Sequence, residues 1–138
     1  MQRLVSLGLG VVFVAACATA EQGPSLVGTW TGVDSAGHRM SFVFEANGKG
    51  LWVVETPELT DTTKVDWVAD MEPAPHHLDL MHFDHGPFAG ASMYGIFEFV
   101  GPDAFRLDLE PGPPGAGDRA PRPTEFTDQT VEFSRVKE

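Results

Sequence analysis

Four of the five histidines fall within ten residues, as His76, His77, His82 and His85, and Asp79 and Asp84 lie among them. Imidazole and carboxylate are ligands for zinc and similar ions. On a strand, residues i and i+2 point the same way. A continuous strand would therefore pair His82 with Asp84 on the face of Leu78 and Leu80, and His77 with Asp79 on the opposite face. Either pair supplies two ligands. A closed metal site needs more, and the sequence names no third; His38, in a hairpin turn, has no positional support. The competing reading is that these residues flank the ends of a strand, where side chains meet water. Imidazoles titrating near pH ~6.5 could also sense acidification.

Catalytic constellations are not evident. There is no Gly-x-Ser-x-Gly elbow, and the single cysteine, Cys17, lies in the N-terminal apolar segment. Glu98, Asp108, Glu110 and Glu132 are carboxylates that could do acid–base work. Their alternation places them on outward faces, where carboxylates keep a domain soluble. Residues 112–117 are Gly-rich, but prolines interrupt them and no helix follows. That is not a phosphate loop, and no cofactor is expected. The sequence reads as a non-enzyme.

The elements that must position these residues begin after residue 20. Residues 1–20 read as a secretory signal, with Arg3 as the positive end and an apolar stretch of 11 residues from Leu4 to Val14. A spanning helix needs roughly 20 apolar residues. Val14-Ala15-Ala16-Cys17 resembles the lipobox of bacterial lipoproteins, which implies lipidation of Cys17 and a mature chain that begins there. Ala18 follows the cysteine; by resemblance to the bacterial sorting rule this implies the periplasmic face of the outer membrane. The alternative is cleavage after Ala18-Thr19-Ala20, giving a protein secreted to the periplasm. An acyl anchor would hold the domain to a bilayer, since each buried methylene contributes about 0.8 kcal/mol. Residues 21–25 would begin a short tether.

With 138 residues there is room for one domain. Nine Lys and Arg against 20 Asp and Glu give a net charge of −11. That excludes a nucleic-acid partner bound through phosphates and disfavours adsorption to anionic lipid. Hydrophobic residues make up 42%, with ten Phe and three Trp, enough for a packed core. Apolar residues alternate and turn signals recur, which predicts eight strands. They fall near residues 28–33, 39–46, 50–55, 63–69, 77–84, 92–100, 104–110 and 130–136. Asn47-Gly48 is the clearest hairpin turn. Residues 111–125, with five Pro and three Gly, read as a mobile surface loop. Short consecutive hairpins with one apolar face predict an all-β fold over residues 21–138. The expected form is a small antiparallel up-and-down β-barrel of about eight strands, since closure removes exposed edges. A two-sheet sandwich is the alternative.

Gly28-Thr29-Trp30 resembles the G-x-W signature of lipocalins, in which the Trp closes the barrel bottom beneath a cation from the last strand. The resemblance implies that role for Arg135. A wider resemblance comprises Leu26-Val27-Gly28-Thr29-Trp30, the strand entry at residues 75–80, Gly86-Pro87 to Gly90, Gly95-Ile96-Phe97-Glu98 and Arg122-Pro123-Thr124-Glu125-Phe126. It is similar to small lipocalin-like domains of bacterial secreted proteins, frequent in planctomycetes, and it implies the fold without catalytic residues. The cysteines and longer loops of ligand-carrying lipocalins are missing, which argues against transport of a large ligand.

Thirteen side chains have inward parity: Met40, Phe42, Phe44, Trp67, Leu78, Leu80, Met93, Phe97, Phe99, Phe105, Leu107, Leu109 and Phe133. An eight-stranded barrel is filled by its side chains or holds one small ligand. In the second case Phe42, Phe44, Trp67, Phe97 and Phe105 are the candidate contacts. Val43, Tyr94 and Ile96 have outward parity. They mark a patch for an envelope protein partner or are ordinary surface hydrophobes. The expected function is a cell-envelope lipoprotein carrying a binding module. The alternatives are a carrier of a small apolar ligand and a metal-binding protein using His77, Asp79, His82 and Asp84.

Overall fold

Alternating apolar residues bury one face of each strand, and closing the sheet buries all those faces together. The computed structural model describes residues 24–110 and 121–137. Cys17, the predicted signal and residues 111–120 lie outside the described residues. The strands are β1 (Gly28–Val33), β2 (Arg39–Phe44), β3 (Lys49–Glu55), β4 (Thr60–Asp70), β5 (His76–Met81), β6 (Met93–Phe99), β7 (Ala104–Glu110) and β8 (Val131–Arg135). Each pairs antiparallel with its sequence neighbours, and β1 pairs with β8 through Trp30↔Arg135 to Gly32↔Phe133. The protein is a closed eight-stranded up-and-down β-barrel.

The largest departures from the expected boundaries are the start of β4 and the end of β5; the other ends agree within two residues. β4 starts at Thr60, because the preceding loop is only a tight turn in which Thr56 N–H donates to Leu59 O at 2.8 Å. β5 stops at Met81, because His82 takes φ 57° and turns the chain.

Connections alternate between the two ends. Residues 45–48, 71–75 and 100–103 lie at the end where the chain enters through Leu26; the connections after β1, β3, β5 and β7 lie at the other. We call these the lower and upper ends.

The lower and middle barrel is filled. Trp30, Phe42, Phe44, Leu78, Leu80, Phe97, Phe105 and Phe133 are fully buried. Their rings form a chain: Trp30 meets Phe105 edge-on at 4.7 Å, Phe105 stacks on Phe133 at 5.2 Å, and Phe133 touches Phe42 at 5.2 Å. Phe42 stacks on Phe44 at 5.2 Å, and Phe44 reaches Trp67 at 5.0 Å.

The lower end is sealed around Trp30. Its Nε1–H donates to Leu26 O at 2.7 Å, and the Arg135 guanidinium lies 4.1 Å above its ring. Arg135 also donates to Val27 O at 2.9 Å and Ser25 O at 3.0 Å. Such a cation–π contact contributes about 0.5–2 kcal/mol. Gly28 is required here twice over: its φ is +136°, and a Cβ would lie 2.6 Å from the Arg135 guanidinium nitrogen. Gly28→Ala should therefore cost about 1–3 kcal/mol, read as a lowered urea midpoint at unchanged slope. An unchanged midpoint would show that the Arg135 seat tolerates a methyl group.

Candidate functional site: the upper mouth of the barrel

Among the described residues two chambers lie toward the upper end. A chamber of about 440 Å³ is lined by Met40, Trp52, Phe88, Leu107, Leu109 and Val131, with Asp34 and Glu110 among its polar groups. A second, of about 360 Å³, is lined by Trp52, Val54, Leu59, Phe83 and Phe88, with Asp61, Thr63 and His85. Asp34, Met40, Trp52 and Phe88 line both. Phe88 is half-buried, 6.2 Å from Trp52 and 6.2 Å from Phe83.

The five candidate contacts lie away from both chambers. Phe42, Phe44, Phe97 and Phe105 are buried in the filled part and line neither chamber. Trp67 closes the lower hairpin instead, its Nε1 donating to Glu45 O and Lys49 O at 3.0 Å. Their inward parity is real, but they occupy the barrel rather than leaving room in it. The residues that line the space are Trp52, Phe83 and Phe88. Trp52 follows the alternation Gly50, Trp52, Val54, so its inward parity was available in the sequence. Phe88 sits in a Gly-Pro loop where parity has no meaning.

The histidine cluster is also rearranged. His82 and Asp84 do not share the inward face, because the turn at His82 shifts the phase and sends Phe83 inward. The His82 side chain is 74% exposed and bonds Asp66 at 2.6 Å. Lys49, at 2.7 Å, and then His82 hold the Asp66 carboxyl below its usual range. His77 and Asp79 do share the outward face of β5, opposite Ile96 and Tyr94. Asp79 is taken by Arg122 at 2.6 Å. Among the described residues no group of three or more His, Cys, Asp or Glu is gathered to hold a metal ion.

His85 instead forms a clasp at the rim. Its Nε2 lies 2.7 Å from Asp61 and its Nδ1 2.8 Å from Asp84. A neutral imidazole has one N–H to donate and only the protonated ring has two, so both contacts are hydrogen bonds only in the charged form. Asp61 and then Asp84 hold the ring charged above its ordinary 6.5. The Lys64 backbone N–H, donating at 3.0 Å, and then His85 hold Asp84 below its ordinary 3.8. The His85 contribution is full below 6.5 and fades as pH rises through the raised value. The Asp84 contribution is full above 3.8 and fades as pH falls through the lowered one. The clasp is complete between those limits. Amide exchange of residues 84–91, corrected for intrinsic rate, should therefore accelerate between about pH 5.5 and about pH 8.5. His85→Gln should remove that dependence. Equal protection across the range would exclude the clasp.

The outer face of β5, β6 and β7 is covered by the chain itself. Residues 121–130 cross it, although the sequence reads as loop through residue 125. Arg122 donates to Gly95 O at 2.8 Å and to Asp79, and sits 5.3 Å from the Tyr94 ring centre; Arg106 lies 3.8 Å over Phe126. Asp108 is 0% exposed rather than solvated, and Ile96, beside it in the register, is buried too. Asp108 Oδ2 accepts from Thr127 N and Oγ1, both at 2.8 Å, and from Thr130 Oγ1 at 3.1 Å. Ile96 and Tyr94 are therefore not an open patch for a partner.

Comparison of the chain with family models, with curated proteins and with solved structures gave no match.

Proposed function

We propose that the protein is a non-enzymatic, lipid-anchored module of the cell envelope that takes a small apolar ligand into its upper mouth. The observation that carries this reading is the pair of chambers that share Trp52 and Phe88, with largely apolar walls, at about 440 and 360 Å³. Ligand sites commonly measure about 300–1,000 Å³ and combine apolar walls with a few polar groups. The rim groups Asp34, Asp61 and His85 are engaged with neighbours: Asp34 accepts from the His38 and Ala36 backbone, and His85 is clasped. That favours binding over chemistry.

The anchor rests on the lipobox resemblance of Val14-Ala15-Ala16-Cys17, and the lipocalin resemblance of Gly28-Thr29-Trp30 agrees with a barrel sealed at its lower end. The chain enters at the lower end, where Arg135 holds Ser25 and Val27. An anchored barrel would thus face its mouth away from the bilayer, on the periplasmic side of the outer membrane. Two measurements test this. Cys17→Ser should move the protein from the membrane fraction to the soluble periplasm and remove the acyl mass. Calorimetric titration with naphthalene should show saturable binding at one equivalent. A chain already soluble with Cys17 intact would remove the anchor, and heats of simple dilution would remove the ligand site.

A further inference from the structure

The three indoles of the chain are not equivalent. Trp30 Nε1–H donates to Leu26 O, and Trp67 Nε1–H to Glu45 O and Lys49 O. Among the described residues Trp52 Nε1 is buried without a hydrogen-bond partner. An indole N–H can only donate, and a buried donor left unmet is costly. Trp52 lines both chambers, but its Nε1 is covered in the present arrangement, so the donor belongs to a residue of the wall and would meet an acceptor atom only once a neighbouring group moves aside.

Phe88 lines both chambers, and its loop is tied mainly to itself. Gly86 and Gly90 flank it at φ +80° and +74°, and among the described residues nothing lies within 4 Å of the position a Cβ would take on either. The loop's backbone bonds are mostly its own: Ala89 N to Gly86 O at 3.1 Å and Ala91 N to Phe88 O at 2.8 Å. Gly90 N reaches Phe83 O at 3.3 Å. The Phe88 ring, set between Trp52 and Phe83, is thus held mainly by apolar contact. A ligand ring could replace that contact in kind.

Charge narrows the ligand further. Asp34, Asp61 and Glu110 line the chambers, and among the described residues the only cationic side chain there, His85, is bonded to Asp61 and Asp84. An anionic ligand would meet like charge at close range.

We infer that Phe88 is a displaceable plug and that the ligand is a neutral apolar molecule carrying an acceptor oxygen, which Trp52 Nε1–H receives. This rests on the reading of the mouth as a ligand site. Three probes of similar size test it: naphthalene, 2-acetylnaphthalene and 2-naphthoate. The protein should bind the ketone about tenfold more tightly than naphthalene, and more tightly than the anion. Phe88→Ala should tighten naphthalene and the ketone by about tenfold, as it removes a competitor for the same space. Trp52→Phe should abolish the preference for the ketone while keeping naphthalene.

If neither the native protein nor Phe88→Ala binds any probe, the mouth is not a ligand site and the inference falls with that reading. If probes bind but Trp52→Phe keeps the ketone preference, the donor assignment is wrong and the site stands. Unchanged or weaker binding by Phe88→Ala overturns the plug. Equal affinity for naphthoate and ketone overturns the neutrality. Should Trp52→Phe fail to fold, the carbonyl stretch of the ketone bound to native protein decides the donor. A shift below its value in cyclohexane supports the hydrogen bond, and an unshifted band refutes it.

Discussion

Phe105→Ala is expected to lower the unfolding free energy by about 3–5 kcal/mol. The ring is fully buried and meets Trp30, Phe133, Phe97 and Phe99 at 4.7, 5.2, 6.1 and 6.4 Å. Its two nearest rings are held in place, Trp30 by Leu26 and Arg135 and Phe133 by Phe42, so the void stays largely open. Small domains have about 5–15 kcal/mol in total, so the variant should be close to half-unfolded in mild urea. Phe105→Leu, which keeps most of the volume, should lose less. An Ala variant within about 1 kcal/mol of native would mean that the aromatic chain is not the central support of the barrel.

Asp108→Ala is the second large effect. It strips the acceptor from three donors, Thr127 N, Thr127 Oγ1 and Thr130 Oγ1, where the carboxylate itself is 0% exposed. The donors sit on exposed Thr127 and half-buried Thr130, so water replaces part of what the carboxylate supplied, and a loss of about 1–3 kcal/mol is expected. The loss has a distinct signature. Residues 122–130 should lose amide protection while β1 to β4 keep theirs, because the covering segment is tied there and through Arg122 to Asp79 and Gly95. Asp108→Asn keeps one carbonyl acceptor and should be milder. Uniform loss of protection across the barrel would show that the segment is integral to the fold rather than a strap upon it.

The barrel was legible in the sequence because its strands have one wet and one dry face. β7 shows this most plainly: Phe105 and Leu107 are buried and Arg106 is not. Its neighbour Asp108 shows the limit. Parity says which face a residue takes, and nothing about a distant segment that later crosses that face. The Arg135–Trp30 contact follows from closure, which sets the first strand beside the last. The mouth was less legible for two reasons. Parity selects Phe42 and Phe97 as readily as Trp52, yet only position along the barrel axis separates filler from lining. A single turned residue, His82 at φ 57°, also took Asp84 off its expected face and sent Phe83 inward.

The upper mouth as an apolar ligand site is tested most directly by the three indole N–H resonances of the 15N-labelled protein during a naphthalene titration. Trp30 and Trp67 are bonded at the lower end, and Trp52 alone lines the chambers. The Trp52 resonance should move to saturation while the other two stay in place. Three unmoved resonances at saturating naphthalene, or movement of Trp30 and Trp67 without Trp52, would contradict a ligand site at the mouth.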